Sequence, residues 1–351
     1  MAHNMDTMMD KRALEADWKY CHAVLPRVSR TFALNIGQLE GDIHRTVLLG
    51  YLLFRIADTF EDTVYQEEGA KITALRDFSD IFKGDKDLGQ RLALYEPLKF
   101  LWTENSDAKD LVENGHRALR CYFDIPESHR QIIDPLIVKT AEGMAGFQER
   151  KLESSHGVFQ LEDRSDLEDY CYYVAGVVGV MLTEIFCQRE RIASVRQQLE
   201  RFQVHFGIAL QLINILKDYS RDIARGWCYI PMAITEKYGI DINNIEGLSG
   251  WQKRGIVRDM VVHIVPFLDS TLEYIKWLPL DERSIRLFCI IPFILGYRTL
   301  VEITSMEADK VSREEVTRLM EKSSAYAESN NLLEKDYLEA REGPLDVNSI
   351  P

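Results

Sequence analysis

The sequence predicts an all-α protein, with one helical domain over residues 1–342 built around a central cavity. Three observations lead there. Apolar residues recur at helical spacing along nearly the whole chain. Only 10 prolines and 20 glycines punctuate 351 residues, and no linker rich in Gly, Ser or Pro divides them. Two segments far apart, 51–62 and 211–222, each carry a polar stripe on an otherwise apolar helix. Stripes of that kind are expected to face each other across a cavity.

In chain order, periodicity predicts a first helix over 10–25, ended by an irregular entry at Pro26. Helices follow over 28–36, 42–62, 68–83, 86–103, 107–122 and 128–150. The stretch 151–161 breaks the pattern and reads as irregular or as a small hairpin. Long helices are expected over 163–189, 194–223, 249–276, 281–305 and 311–340. The tail 343–351, G-P-L-D-V-N-S-I-P, is expected to be disordered.

The totals exclude several function classes. Hydrophobic content of 46% with 28% charged residues is that of an ordinary globular chain. A net charge of −14 argues against nucleic acid, which needs a basic face, and against general attraction to anionic membrane. Cys21, Cys121, Cys171, Cys187, Cys228 and Cys289 are scattered without a C-x-x-C pair and read as core residues in a reducing cytoplasm. The polar, acidic N-terminus is not a signal peptide. The most apolar stretch, 285–303, is interrupted by Arg286, Pro292, Arg298 and Glu302, so no spanning helix is expected. The expectation is a cytoplasmic protein without a transmembrane anchor, either soluble or touching a membrane peripherally.

Tyr51, Arg55, Asp58 and Asp62 are spaced four, three and four apart, which aligns them on one helical face. Leu52, Leu53, Phe54, Ile56, Ala57 and Phe60 between them place that stripe inside the protein. Two buried carboxylates one turn apart repel and are costly to desolvate. A divalent cation is the usual remedy, and such oxygen ligands suit Mg²⁺. Gln211, Asn214, Asp218 and Asp222 repeat the device on a helix whose other face is Leu210, Leu212, Ile213, Ile215 and Leu216. One acidic pair is usually a solvated face or a salt bridge. Two embedded stripes favour a metal site between facing helices.

Together these stretches resemble the squalene and phytoene synthase family of head-to-head prenyl transferases. The motifs are V-S-R-T-F-A-L (28–34), Y-L-L-F-R-I-A-D-T-F-E-D (51–62), G-M-A-G-F (143–147), Y-C-Y-Y-V-A-G-V-V-G (170–179) and A-L-Q-L-I-N-I-L-K-D-Y-S-R-D (209–222). The resemblance runs from about residue 20 to 320. Y-C-Y-Y-V-A-G-V-V-G and F-C-I-I-P (288–292) are most similar to the squalene synthase branch. It implies an isoprenoid synthase-type helical bundle that joins two farnesyl diphosphates head to head through presqualene diphosphate and reduces this with NADPH to squalene.

The resemblance also implies roles. Asp58, Asp62, Asp218 and Asp222 would hold Mg²⁺, with Mn²⁺ as an alternative. Tyr170 would serve the first half-reaction, with Arg55 and Tyr51 beside it. Ser29, Arg30, Phe32, Gln211, Asn214, Lys217, Arg225 and Phe288 would contact the substrate, and Lys310 and Arg313 of K-V-S-R would contact NADPH. Plainer readings stand beside several of these. Ser29 is also a natural helix N-cap, Arg55 a partner for Asp58, and Tyr170, Tyr51, Phe32 and Phe288 core aromatics. K-V-S-R is also an exposed helix start. Gly176 and Gly179 bare one helix face for an isoprenoid tail or a neighbouring helix. There is no G-x-G-x-x-G loop, and the family binds its cofactor without one.

Two positions depart from the family pattern. Arg221 replaces the glutamate of D-x-x-E-D, and Trp227 replaces the arginine of G-R-x-Y/F-x-P. Arg225 is expected to supply the missing charge while Trp227 packs over the cavity mouth. The alternatives are a dehydrosqualene or phytoene synthase without hydride transfer, and a non-catalytic relative.

Overall fold

Apolar faces at helical spacing need partners, and here the helices supply them to one another. The computed structural model describes residues 2–63, 67, 69–100, 106–154, 157–306, 311–346, 348 and 350. They divide into two units, Met1–Glu153 and Ser154–Pro351.

The first unit contains α1 (Ala2–Val28), α2 (Arg30–Ile36), α3 (Gly41–Asp62), α4 (Ala70–Phe82), α5 (Leu88–Tyr95), α6 (Asp107–Glu113), α7 (Gly115–Tyr122) and α8 (Glu127–Glu153). A 3₁₀ turn, Glu96–Phe100, follows α5, so the helix expected over 86–103 is shorter than its pattern. Its start is set by Asp87, which forms a reciprocal capping box with Gln90. The first helix runs through Pro26, which sits in its last turn where little of the hydrogen-bond ladder remains to be lost. α3 is the central element, packed by α1, α4, α6, α7 and α8. Its Leu48, Leu49, Leu52, Leu53, Ile56 and Phe60 are fully buried.

The second unit contains β1 (Phe159–Gln160), α9 (Arg164–Cys171), α10 (Val177–Phe186), α11 (Glu190–Ala193), α12 (Arg196–Glu200), α13 (Gln203–Ala224), β2 (Trp227–Cys228), α14 (Met232–Lys237), α15 (Gly250–Trp277), α16 (Arg283–Ser305), α17 (Arg313–Glu328) and α18 (Asn330–Arg341). The helix expected over 163–189 is interrupted by a π-helical segment, Tyr172–Gly176. There α13 crosses at very short range. A Cβ on Gly207 would lie 2.1 Å from the Ala175 carbonyl oxygen, and one on Gly179 would lie 1.9 Å from that of Gln203. Gly179 therefore serves a neighbouring helix, and Gly176 faces the side chains of Tyr172 and Val204. Among the described residues, the strand-like break forms no local hairpin. β1 pairs in parallel with β2, Phe159 opposite Trp227 and Gln160 opposite Cys228, because Gly226 (φ +82°) turns the chain back after α13.

Past α18, at the start of the stretch expected as a tail, the chain turns on itself. The Leu345 N–H donates to the Ala340 carbonyl, and the Leu345 side chain is buried. Two stretches, Arg164–Phe186 and Arg283–Ser305, are by length and composition alone apolar enough to cross a membrane. Half of the first and two thirds of the second are buried within the chain, as expected of core helices. Arg286, taken from the sequence as a polar interruption, is itself completely buried.

Candidate active site

In the first unit, the α3 stripe forms as its spacing requires, but on the margin of the core rather than inside it. Tyr51, Arg55 and Asp58 are half-buried and Asp62 is exposed, while their apolar neighbours fill the interior. An Arg55 amino group pairs with the Asp58 carboxylate three residues on. This contact, before any other, holds the guanidinium's pKa above its usual value. Arg55 Nε is buried with no hydrogen-bond partner among the described residues, which leaves a donor for an anion's oxygen.

Ser29 caps α2, its hydroxyl accepting the Phe32 N–H at 3.2 Å. The Tyr51 phenol lies within electrostatic reach of that hydroxyl. Burial pushes that phenol's pKa up, while Ser29 and Arg55 pull against it. The Phe32 ring lies 5.0 Å from the Tyr51 ring. Four residues proposed from separate motifs thus meet here: Ser29, Phe32, Tyr51 and Arg55. Arg30, the first residue of α2, is exposed.

The buried carboxylate of this helix is Glu61, which the stripe reading passed over. It is 5% exposed and pushed up to about 8, first by burial and then by Asp62 and Asp58. Gln148 Nε2 donates to Glu61 Oε1 at 3.3 Å, and Lys71 Nζ donates to the Glu61 carbonyl. The adjacent Glu61-Asp62 pair was the available signal. Which of the two turns inward depends on α8, which brings Gln148, and on Lys71.

In the second unit, α13 presents Gln211, Asn214, Asp218 and Asp222 on one face, with Asn214 exposed and the others half-buried. Lys217 Nζ donates to Asn214 Oδ1 at 3.1 Å and lies 3.1 Å from Asp218 Oδ2. Arg221 Nη1 lies 3.3 Å from Asp218 Oδ1. Burial, and then the charge of Asp218, push Asp222 up to about 6. Arg225 follows as the exposed C-cap of α13.

Trp227 is a buried aromatic. It is 5% exposed, with its ring edge-to-face with Phe159 at 5.1 Å and stacked on Tyr229 at 5.3 Å. Tyr229 in turn stacks on Tyr170 at 4.5 Å, and the Tyr170 hydroxyl donates to the Tyr229 hydroxyl at 2.9 Å. Sequence reasoning singled out Tyr170 and missed Tyr229, which lies 59 residues away.

Phe288 on α16 is a core aromatic, 4% exposed and edge-to-face with Phe186 at 5.7 Å. Arg313 is the exposed first residue of α17, behind its N-cap Ser312. Lys310 lies outside the described residues.

Among the described residues, no three His, Cys, Asp or Glu side chains gather into a set able to hold a metal ion. The carboxylates of the two stripes come instead as pairs one turn apart, Asp58 with Asp62 and Asp218 with Asp222. Hard oxygen donors of this kind, one of them disfavoured in its charged form by burial and a like charge, fit Mg²⁺.

Squalene synthase of Nicotiana benthamiana is 27% identical over 293 residues, covering 81% of this chain and 64% of that protein. Squalene synthase of Rattus norvegicus is 26% identical over 302 residues, covering 85% and 66%. The chain therefore spans just under two thirds of the length of these relatives. A ligand complex of TcSQS superposes with a TM-score of 0.75 at 24% identity, covering 93% of this chain and 91% of that one. A ligand-bound dehydrosqualene synthase gives 0.65 at 20% identity, covering 90% and 98%. Both show the same isoprenoid synthase-type helical fold. The squalene/phytoene synthase family model matches residues 25–321, most of the chain and all of the clusters just described, and the chain belongs to that family.

Proposed function

We propose that the protein is a squalene synthase, joining two farnesyl diphosphates head to head through presqualene diphosphate and completing the reaction with NADPH. The observation that carries this reading is the pairing of carboxylates with basic groups on both stripes. Asp58 stands with Arg55, and Asp218 stands with Lys217 and Arg221. Carboxylate pairs alone would repel a diphosphate, and basic groups alone would bind it without an ion. The two together suit a metal-bridged diphosphate.

In this reading Asp58, Asp62, Asp218 and Asp222 would hold Mg²⁺, whose charge, when bound, offsets that of the departing diphosphate. Arg55 offers a diphosphate oxygen its Nε, which has no hydrogen-bond partner among the described residues, with the Tyr51 phenol one turn away on the same face. Gln211 and Asn214 add neutral oxygen and nitrogen contacts. Tyr170 presents its oxygen and ring face to the allylic cation and steers loss of the proton that closes the cyclopropane. Arg313, with Lys310, would meet the phosphates of NADPH, which supplies the hydride when bound.

One observation favours a second reading, a synthase that stops without hydride transfer. Glu314 and Glu315 occupy the first turn of α17 beside Arg313, and both oppose a cofactor phosphate there. Product identification after incubation with farnesyl diphosphate and Mg²⁺, with and without NADPH, separates the two. Squalene formed only with NADPH supports the first reading, and a dehydrogenated product formed regardless of NADPH supports the second. No turnover of farnesyl diphosphate overturns both.

The loop after α13 carries a further expectation. Arg225→Ala is expected to raise the KM for farnesyl diphosphate about tenfold, as for loss of one charge-assisted contact. Trp227→Arg places a guanidinium among Phe159, Tyr229 and Tyr170 and is expected to lower the melting temperature without improving KM. Steady-state kinetics and thermal unfolding of the two variants check this. A silent Arg225→Ala with a strongly activated Trp227→Arg means that the native site is impaired.

A further inference from the structure

We propose that the junction where α15 ends and α18 begins is a docking surface for a neutral lipid bilayer, entered by Trp277, Leu280 and Leu332. The inference goes beyond the reaction proposed above and does not depend on it. None of the three residues belongs to the aspartate stripes or to the Tyr170 cluster.

Single exposed apolar residues are ordinary on a folded chain, but these three are carried by one rigid junction. Trp277, the last residue of α15, is 43% exposed, and Leu280 in the turn behind it is 51% exposed. Leu332, in the first turn of α18, is 50% exposed. The backbone beneath them is tightly held. Buried Arg286 donates to the carbonyls of Ile275 and Leu278, on either side of Trp277, and to Asn330 Oδ1. Asn330 Nδ2 donates in turn to the Lys276 carbonyl at 3.1 Å, which fixes the start of α18 against the end of α15. In the turn, Leu278 is buried as an anchor, and the Pro279 carbonyl accepts the Glu282 N–H at 3.0 Å. Pro279 also fixes its own φ, so Trp277 and Leu280 stay outside the core on either side of that anchor.

Charge and area decide what covers this surface. Lys276 Nζ lies 2.8 Å from both Glu273 and Glu334, and Arg189 holds Glu282 at 2.5 Å. Arg191 pairs with Asp281, and Arg283 stands 3.7 Å from Glu328. The four bases of these pairs are matched by five acids, which leaves no positive surplus to draw anionic headgroups. Neutral headgroups need no such surplus. The three apolar side chains together expose roughly 300 Å², well under the ~800 Å² that each partner of a stable protein pair buries. A bilayer asks for less. A tryptophan beside two leucines suits the boundary between headgroups and acyl chains, where an indole ring settles and leucines enter the hydrocarbon.

Flotation of the full chain with phosphatidylcholine vesicles tests this. Wild type is expected to float with them equally at low and high salt. Trp277→Gln/Leu280→Gln/Leu332→Gln is expected to bind at least about tenfold less, with an unchanged melting temperature because all three are surface side chains. Brominated phosphatidylcholine then locates the contact by quenching tryptophan emission. Quenching should fall in Trp277→Phe and persist in Trp251→Phe, since Trp251 stands at the other end of α15, roughly 40 Å away. Wild type that does not float, a triple variant that floats as wild type does, or quenching unchanged by Trp277→Phe overturns the proposal. Binding that needs phosphatidylserine or is abolished by salt also overturns it, as an electrostatic contact. Self-association of the wild type that the triple variant loses, without vesicle binding, assigns the surface to a second copy and overturns the lipid reading. If the triple variant does not fold, the quenching result with Trp277→Phe decides alone.

Discussion

Asp58→Asn, Asp62→Asn, Asp218→Asn and Asp222→Asn are each expected to lower turnover of farnesyl diphosphate at least about a hundredfold, the cost of one strong electrostatic contact in the transition state. The substitution keeps size and removes one charge from the shell proposed for Mg²⁺. The fold should survive. Asp62 is exposed and the other three are half-buried, so none is a core residue whose loss opens a cavity. At Asp58 the change also leaves Arg55 without its carboxylate, and at Asp218 it leaves Lys217 and Arg221 without theirs. Those variants should therefore still bind the diphosphate electrostatically while needing more Mg²⁺ for turnover. The checks are kcat, the Mg²⁺ concentration for half-maximal rate, and circular dichroism. Near-wild-type product formation by Asp58→Asn or Asp218→Asn removes the metal assignment.

The largest effect on stability is expected at Arg286, far from any of these groups in sequence. Its side chain is completely buried, and burial pulls its pKa below the usual value. The guanidinium donates from Nε to the Ala327 carbonyl at 2.8 Å and from Nη1 to those of Ile275 at 2.9 Å and Leu278 at 2.7 Å. Its Nη2 donates to Asn330 Oδ1 at 2.6 Å. These acceptors belong to the end of α15, the end of α17 and the start of α18, so one side chain ties three helix termini. Helix ends carry carbonyls without intrahelical partners, and in a dry interior each needs a donor. Arg286→Met strands the Ala327 and Leu278 carbonyls, that of Ile275 keeping the Leu278 N–H, and is expected to cost about 4 kcal/mol, with Arg286→Lys recovering part of it. The measurement is the denaturant midpoint at constant slope. An unchanged midpoint for Arg286→Met would mean that water already serves these carbonyls.

Much of the site was legible in the chain because the features that carry it are periodic. Four residues at helical spacing must share a face whatever surrounds them, so both stripes could be written down from residue numbers. Ser29 as an N-cap and Arg55 as a partner of Asp58 are likewise short-range consequences of backbone and spacing. The family motifs are contiguous strings, and order along the chain is all that they require.

Other features depend on partners that the chain brings from a distance, and for these periodicity carries no signal. Whether the stripe beginning at Tyr51 lies in the core or at its margin depends on how far α1, α4 and α8 cover α3, and they leave Asp62 exposed. Glu61 turns inward only because Gln148 arrives from α8 to meet it. Phe288 meets Phe186 edge-to-face, a contact between two helices that the spacing within either one does not indicate.

The sequence by itself determined the helical class, the two aspartate stripes and the family, since each is a pattern within one segment. Tertiary structure alone decided that Trp227 is buried, that the Tyr170 and Tyr229 hydroxyls meet, and that Arg286 is an interior charge held by four hydrogen bonds. The physical reason is common to all three. Burial and hydrogen bonding depend on which surfaces meet, and the meeting groups here lie 59 residues apart for Tyr170 and Tyr229 and 41 apart for Arg286 and Ala327.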